Sequence, residues 1–366
     1  MRSIVNFTAA LGGDLNIRIC CLDRDEFDEA PYPGMKYLPW EQIGRGRVRY
    51  LRPGKQVLLE ILRTLKEKPH DTLYLSGGFD PYFSIWPLVA CWLGLCPRRT
   101  VVIAPCGELA PSALAIKPTK KKIFLAAARF LGLHKSVVWH ATTAAEAQDI
   151  QAATHVPMRN VRVAGIVPTI LHADKDVLAR GAQQPLRVIY LSKICRMKNL
   201  AFGLKALRHV RHSVRFSIFG LIEEKDYWAE CEKLIADLPA HVEAVYGGPI
   251  PYEDVPHVLA EQDLFLLPTL GENFGHVIFE ALEMGLPIII SDKTPWQSLR
   301  QAGVGYDIPL EEEAAFTRAI DEIAEMPAED FIAMRERAFD YARDWLKSQE
   351  SIVAIRRLLS DPRAQD

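Results

Sequence analysis

Long apolar runs are missing from this chain of 366 residues. The longest, Phe83 to Cys96, is interrupted by Pro87 and is too short to cross a bilayer. The opening residues, Met1-Arg2-Ser3-Ile4, lack the apolar core of a secretory leader. Cysteine is sparse and unpatterned. The seven thiols form no Cys-x-x-Cys pair and no metal spacing. This excludes a disulfide scaffold and predicts reduced thiols in a cytoplasmic protein. Charge of either sign is not in excess, with a formal net charge of -2, which removes bulk nucleic-acid binding as a class. No acidic constellation with metal spacing stands out, so neither a metal nor a bound cofactor is expected. There is no internal repeat and no low-complexity segment.

What is present is apolar mass: 49% of the residues are hydrophobic, enough for two cores in a chain of two-domain length. The most informative stretch runs from Leu264 to Asp292. Leu264 to Leu267 reads as a buried strand, and Pro268 and Gly271 punctuate a loop. A helix begins near Gly275, with Val277, Ile278, Ala281 and Leu282 at helical spacing. Gly285 closes it and Pro287 stops it. Pro287 to Ser291 is a second buried strand. Asn273, Phe274, Gly275 and His276 bring backbone N–H groups to the helix start, a natural seat for an anion. Glu272 precedes that start and Glu280 lies more than a turn beyond it. A diphosphate flanked by hydroxyl-bearing rings fits the pattern, one carboxylate to each ring. The plain alternative is a crossover helix carrying two solvated glutamates.

Glu272-Asn273-Phe274-Gly275, then Glu280, then Glu283-Met284-Gly285-Leu286-Pro287 and a strand resembles the Glu-x7-Glu signature of glycosyltransferase family 4. The resemblance implies the GT-B architecture: two doubly wound Rossmann-like α/β domains facing across a cleft. It also implies a retaining reaction. Glu272 would contact the donor sugar, with Asn273, Phe274 and Gly275 beside it, and Glu280 would bind ribose. Phe274, Gly275 and His276 would also cradle the donor diphosphate. After the strand Leu186 to Leu191 the family pattern places two cations on that diphosphate. Lys198 matches one, and Lys193 stands where Arg is usual. Charge is kept without the bidentate fork, and Arg196 between them is a candidate to compensate. The loop Tyr246 to Ile250 would cup the base, with Ile250 the contact, while Trp296 reads as packing.

The first half alternates strand and helix. A helix is expected over Ser3 to Leu11, a strand over Leu15 to Leu22, and an irregular stretch from Asp23 to Arg52. Next come an amphipathic helix from Gln56 to Lys66, the strand Thr72 to Leu75, a helix from Pro81 to Leu93 and the strand Thr100 to Ala104. Family members begin with a strand and a Gly-Gly loop. This chain opens on the helix that follows them, so the resemblance implies a first domain without its first strand. That would expose two neighbouring strands. Cys106-Gly107 stands on the acceptor-side cleft, where the family usually has Arg-Gly or His-Gly. A thiol cannot act as that cation. Residues 115–135 are basic and amphipathic, open to contact with an anionic membrane or to ordinary docking on the domain. Thr143 to Glu146 has a capping-box pattern.

The expected organisation is an acceptor-side domain over 1–167, a linker over 168–185 and a nucleotide-sugar domain over 186–345. Residues 346–366 would cross back to the first domain. The expected function is transfer of a sugar from a nucleotide donor such as UDP- or GDP-hexose, without metal. The acceptor would be a glycan, lipid-linked or small-molecule hydroxyl in cell-surface polysaccharide or glycoconjugate synthesis. The expected location is cytoplasmic or peripheral at the inner membrane face, and nucleic acid is not an expected partner. Two rivals stand beside this. One is a silent homologue that binds nucleotide-sugar or a partner transferase, favoured by Cys106 and Lys193. The other is a phosphorylase or epimerase of the same architecture.

Overall fold

The computed structural model describes the chain apart from residues 1–5, 7, 9–10, 12, 14, 25–29, 33–39, 55, 68–69, 97–98, 116–117, 169–170, 172–174, 180, 183, 348–349 and 363–366. The expected helix over Ser3 to Leu11 lies mostly outside the described residues. The chain divides into two units: Met1–Val167 with Gln349–Asp366, and Pro168–Ser348.

The first unit holds two sheets. One has the order β1-β3-β2, from β1 (Arg18–Leu22), β2 (Glu41–Ile43) and β3 (Gly46–Leu51). The other is all parallel, β4-β5-β6-β7, from β4 (Thr72–Ser76), β5 (Thr100–Ala104), β6 (Val137–Ala141) and β7 (Val161–Val163). Helices α1 (Gln56–Glu67), α2 (Trp86–Trp92), α3 (Pro118–Leu131) and α4 (Ala144–Thr154) connect the strands. β1 and β4 are not hydrogen-bonded to each other, yet the sheets share cores. Cys20 and Leu22 of β1 and Leu73 of β4 pack with Val57 and Ile61 of α1. Leu11, Ile17 and Tyr74 meet in another cluster, which also takes Val102. Val102 points opposite to Val101 and Ile103, which lie under α2 and α3, as alternation in a strand requires.

The stretch from Asp23 to Arg52 is not wholly irregular. Glu41, Gln42 and Ile43 pair antiparallel with Val48, Arg47 and Gly46, and β3 runs parallel to β1. Gly44, at φ 52°, makes the turn. Arg47 and Arg49 alternate with Val48 and Tyr50, a period-2 pattern only four residues long inside a Pro- and Gly-rich stretch. Arg49 finds a partner in the Thr64 hydroxyl at 2.9 Å, so a strand that looks solvated is half-buried.

The second unit is one six-stranded parallel sheet, β10-β9-β8-β11-β12-β13. Its strands are β8 (Leu186–Leu191), β9 (Val214–Phe219), β10 (Val242–Gly248), β11 (Leu264–Leu267), β12 (Ile288–Ser291) and β13 (Gly305–Ile308). Its helices are α5 (Leu200–Leu207), α6 (Lys225–Ala236), α7 (Val255–Ala260), α8 (His276–Glu283), α9 (Glu313–Ala324) and α10 (Ala328–Lys347). β8, β11 and β12 are almost wholly buried, as parallel central strands are. The chain order reverses beside β8, so the loops after β8 and β11 leave the sheet side by side. That is where such sheets bind ligands. A short helix, Leu299–Ala302, starts where Asp307 accepts from the Ser298 and Leu299 N–H groups. The last helix, α11 (Glu350–Ser360), buries Ile355 and Leu358 in the first unit with Val102 and Val138.

Candidate active site

The β8 and β11 exit loops of the second unit are stitched together by backbone and side-chain hydrogen bonds, and the β11 loop is tied in turn to the loop after β12. Leu270 N–H donates to Met197 O at 2.8 Å, and the Thr269 hydroxyl donates to the same carbonyl at 3.0 Å. Asn199 holds Pro268 O at 2.9 Å, and Glu272 N–H donates to Lys293 O at 3.0 Å. Seventy-four residues of separation are thus closed to an ion pair, Lys198 Nζ to Glu272 Oε1 at 2.5 Å. Both side chains are mostly covered, Glu272 being 12% exposed. A pair so shielded is screened less than a surface one.

Gly275 sits at φ 78° as the cap of α8. A side chain there would bring its Cβ to 2.7 Å from Ile278, so the left-handed turn and the close approach both call for glycine. His276 follows as the first residue of α8. Phe274 turns inward against Trp296 at 5.4 Å and Trp345 at 5.3 Å, and its carbonyl accepts from Trp296 Nε1 at 2.5 Å. What Phe274 offers a ligand is therefore backbone. Asn273 lies in the same loop, just before it.

Glu280 is only 1% exposed. The plain reading of two solvated glutamates fails for it and for Glu272, since uncommitted carboxylates are rarely buried. The Tyr252 hydroxyl lies 3.4 Å from Glu280 Oε1, and Ile250, half-buried, is two residues upstream on the exit of β10. Tyr252 escaped the sequence reading because nothing local ties it to a helix 28 residues away.

Lys193 is engaged by Glu223 at 3.3 Å, on the loop after β9. Arg196 does not stand between the lysines as a substitute. It forks onto Glu230 at 2.5 and 3.0 Å and lies over the Tyr227 ring at 5.2 Å, so α6 claims it. A second buried carboxylate was missed. Glu283, one turn past Glu280, accepts from Leu171 N–H at 2.7 Å. Burial pushes its carboxyl up to about 8, with the neighbouring Glu280 adding to the rise.

The first unit's loop after β5 is built differently. Cys106, at φ 51°, is exposed as a residue, but its Sγ turns back to 3.5 Å from Ala104 O. Loss of solvation, then the Glu146 carboxylate, push the thiol up to about 11, so it is neutral at physiological pH. Gly107 N–H is taken by Glu146 Oε1 at 2.7 Å, and the other Glu146 oxygen accepts from Thr142 N–H and Oγ, each at 2.7 Å. Thr143 caps α4 by accepting from Glu146 N–H at 3.1 Å. Glu108 accepts from Gly78 and Phe79 N–H at 2.6 and 3.2 Å, fixing the loop after β4.

Residues 179–345 match the family described as Glycosyl transferases group 1. This part of the chain is similar to a group 1 glycosyltransferase domain. The matched segment contains every second-unit residue of the site described above except Leu171. Among curated proteins, the chain is 27% identical over 139 residues to the amylovoran biosynthesis glycosyltransferase AmsK of Erwinia amylovora, covering 36% of this chain and 33% of that one. It is 26% identical over 136 residues to the sulfoquinovosyl transferase SQD2 of Arabidopsis thaliana, 37% of this chain and 24% of that one. The matches thus span a third or less of these relatives' length.

Among solved structures, Anabaena HepE in complex with UDP and glucose superposes with a TM-score of 0.64 at 17% identity, covering 87% of this chain and 86% of that one. A sucrose-phosphate synthase of Thermosynechococcus elongatus gives 0.62 at 15% identity, over 95% and 92%. The fold is that of GT-B glycosyltransferases, mixed α/β with parallel sheets.

Proposed function

We propose that this protein transfers a hexose from a nucleoside diphosphate donor to a hydroxyl acceptor with retention, as the Glu-x7-Glu resemblance implies. The observation that carries the reading is the Lys198–Glu272 pair beside the cap of α8, with Glu280 and Tyr252 behind it. An incoming diphosphate competes with Glu272 for the lysine, and Glu272 is then available to the hydroxyls of the donor sugar. Lys193 and the N–H groups at Gly275 and His276 add to the anion seat. Glu280, already desolvated, accepts from ribose hydroxyls, and Ile250 borders the base.

In the transfer the acceptor oxygen bonds to the anomeric carbon, and the bond from that carbon to the diphosphate oxygen breaks. The electron pair leaves with the diphosphate, which takes up the acceptor's proton. Charge therefore grows on the leaving oxygens, where Lys198, Lys193 and the helix end already point positive potential. These groups stand in for a metal. The acceptor in this reading is a glycan, lipid-linked or small-molecule hydroxyl in polysaccharide or glycoconjugate synthesis, and the name of the amylovoran biosynthesis relative supports the polysaccharide part.

A second reading, a silent homologue that keeps donor binding, rests on Cys106. Its neutral thiol stands where the resemblance expects a cation. Calorimetric titration with UDP, GDP and their hexose conjugates, followed by a transfer assay, separates the two. Binding with turnover supports the transferase, binding without turnover the silent form, and no binding defeats both.

A further inference from the structure

The helical layer over β4–β7 has an outer face that its own packing does not explain. Nine of the fifteen large apolar side chains that are exposed among the described residues fall between Leu59 and Leu131. Helix α3 shows why. Its inner face is made of Phe124, Leu125 and Ala128, which pack with Leu88 and Val89 of α2 on the core of the four-stranded sheet. At about 100° per residue, Ile123, Ala126, Ala127 and Phe130 form a second apolar stripe on the opposite side. All four are exposed, Ile123 by 64% and Phe130 by 90%. A helix apolar on two sides is normally buried on two sides. The neighbouring α2 extends the exposed surface with Trp86, Trp92 and Leu93.

The charge around the stripe has one sign. Lys122 and Arg129 flank it on one edge and Lys120 on the other, all exposed. No Asp or Glu occurs between Glu108 and Glu146 in the sequence. Lys121 faces inward instead, donating to Ala113 O at 2.8 Å and lying over Phe79. No helix among the described residues is long and apolar enough to cross a membrane.

We infer that the outer face of α2 and α3 is a docking surface for an anionic lipid bilayer. Phe130, Ile123 and the α2 tryptophans enter the interface, while Lys120, Lys122 and Arg129 meet the lipid headgroups. An apolar centre with a basic rim fits this partner better than a polyanion. Nucleic acid would satisfy the rim and leave Phe130 and Ile123 unexplained. The inference does not depend on the donor-site reading.

The test is cosedimentation of the full chain with vesicles of phosphatidylcholine, alone or with about a third phosphatidylglycerol. Nucleotide titration is run on the same samples. The expected result is binding to the anionic vesicles, weakened by salt. Ile123→Ser with Phe130→Ser should reduce partition tenfold or more, and Lys120→Gln with Lys122→Gln should reduce it several-fold. Nucleotide affinity and circular dichroism should be unchanged, since these side chains support no core. Absence of binding to anionic vesicles, or equal binding by the serine variant, overturns the inference. So does a dimer in solution that the serine variant dissolves, which would assign the face to a second copy. Oligonucleotide binding as tight as vesicle binding and indifferent to Phe130 would also overturn it, reducing the surface to its charge.

Discussion

The loop after β5 in the first unit and the loop after β11 in the second leave their sheets at equivalent places, at the C-terminal end of a buried parallel strand. Both carry acidic side chains, yet the chemistry differs. In the first unit the carboxylates answer backbone donors: Glu108 takes Gly78 and Phe79, and Glu146 takes Gly107 and Thr142. In the second, Glu272 answers a lysine and Glu280 a phenol. A carboxylate bonded to backbone N–H is committed to the fold, because releasing it would leave buried donors unpaired. A carboxylate facing a side-chain cation or a hydroxyl can exchange that partner for a ligand. The same strand–loop–helix grammar thus yields a rigid joint in one unit and an exchangeable site in the other.

The sharpest way to break this contrast is Glu146→Ala. It should unfold the first unit's loop and lower stability by about 3 kcal/mol, for several buried donors lose an ionised acceptor together. Nucleotide affinity should hold. A variant as stable as the parent in urea would show that Glu146 is not a structural tie.

Glu283→Gln comes next, through pH. A carboxyl raised to about 8 in the fold keeps its proton where the unfolded chain has lost it. Between about pH 4.5 and 8 the folded form therefore binds more protons, and stability falls as pH rises. The glutamine side chain does not titrate and keeps an acceptor for Leu171 N–H. The variant should gain on the parent by roughly 3 kcal/mol between about pH 5 and pH 8. Parallel denaturation curves at both pH values for parent and variant would refute the raised carboxyl.

On the exchangeable side, Lys198→Ala should cost about tenfold in affinity for nucleoside diphosphates, close to ~1.4 kcal/mol, with nucleosides little affected. Equal losses for both would remove its diphosphate role. Glu280→Gln should weaken nucleosides and nucleotides alike by several-fold, and unchanged affinity in calorimetry would remove the ribose role. The smallest effect concerns Cys106. Its thiol should react with iodoacetamide at about pH 7.5 far more slowly than an ordinary exposed cysteine, accelerating only as pH approaches 11. Rapid labelling at neutral pH would contradict the neutral thiol.

Much of the second unit was legible. Leu264 to Leu267 and Ile288 to Ser291 are uninterrupted apolar runs, Gly275 and Gly285 mark the helix ends, and the Glu-x7-Glu spacing places two carboxylates on one loop–helix. These are local signals, and the parallel sheet buries its strands on both faces, so pattern and structure agree. The hairpin Glu41–Leu51 was not legible, because Arg49 reads as solvated until Thr64 on α1 is brought beside it. Arg196 reads as a diphosphate ligand until α6 supplies Glu230.

The sequence by itself determined the alternation of strand and helix, the positions of the glycine turns and the Glu-x7-Glu spacing. Each of these depends on residues a few places apart. Tertiary structure alone decided the partners: Glu272 for Lys198, Leu171 for Glu283, Gly107 for Glu146. Each joins segments that only the sheet order makes adjacent. A carboxylate's role follows from which donor reaches it and how much water is left around it, and neither is a property of the chain read one residue at a time.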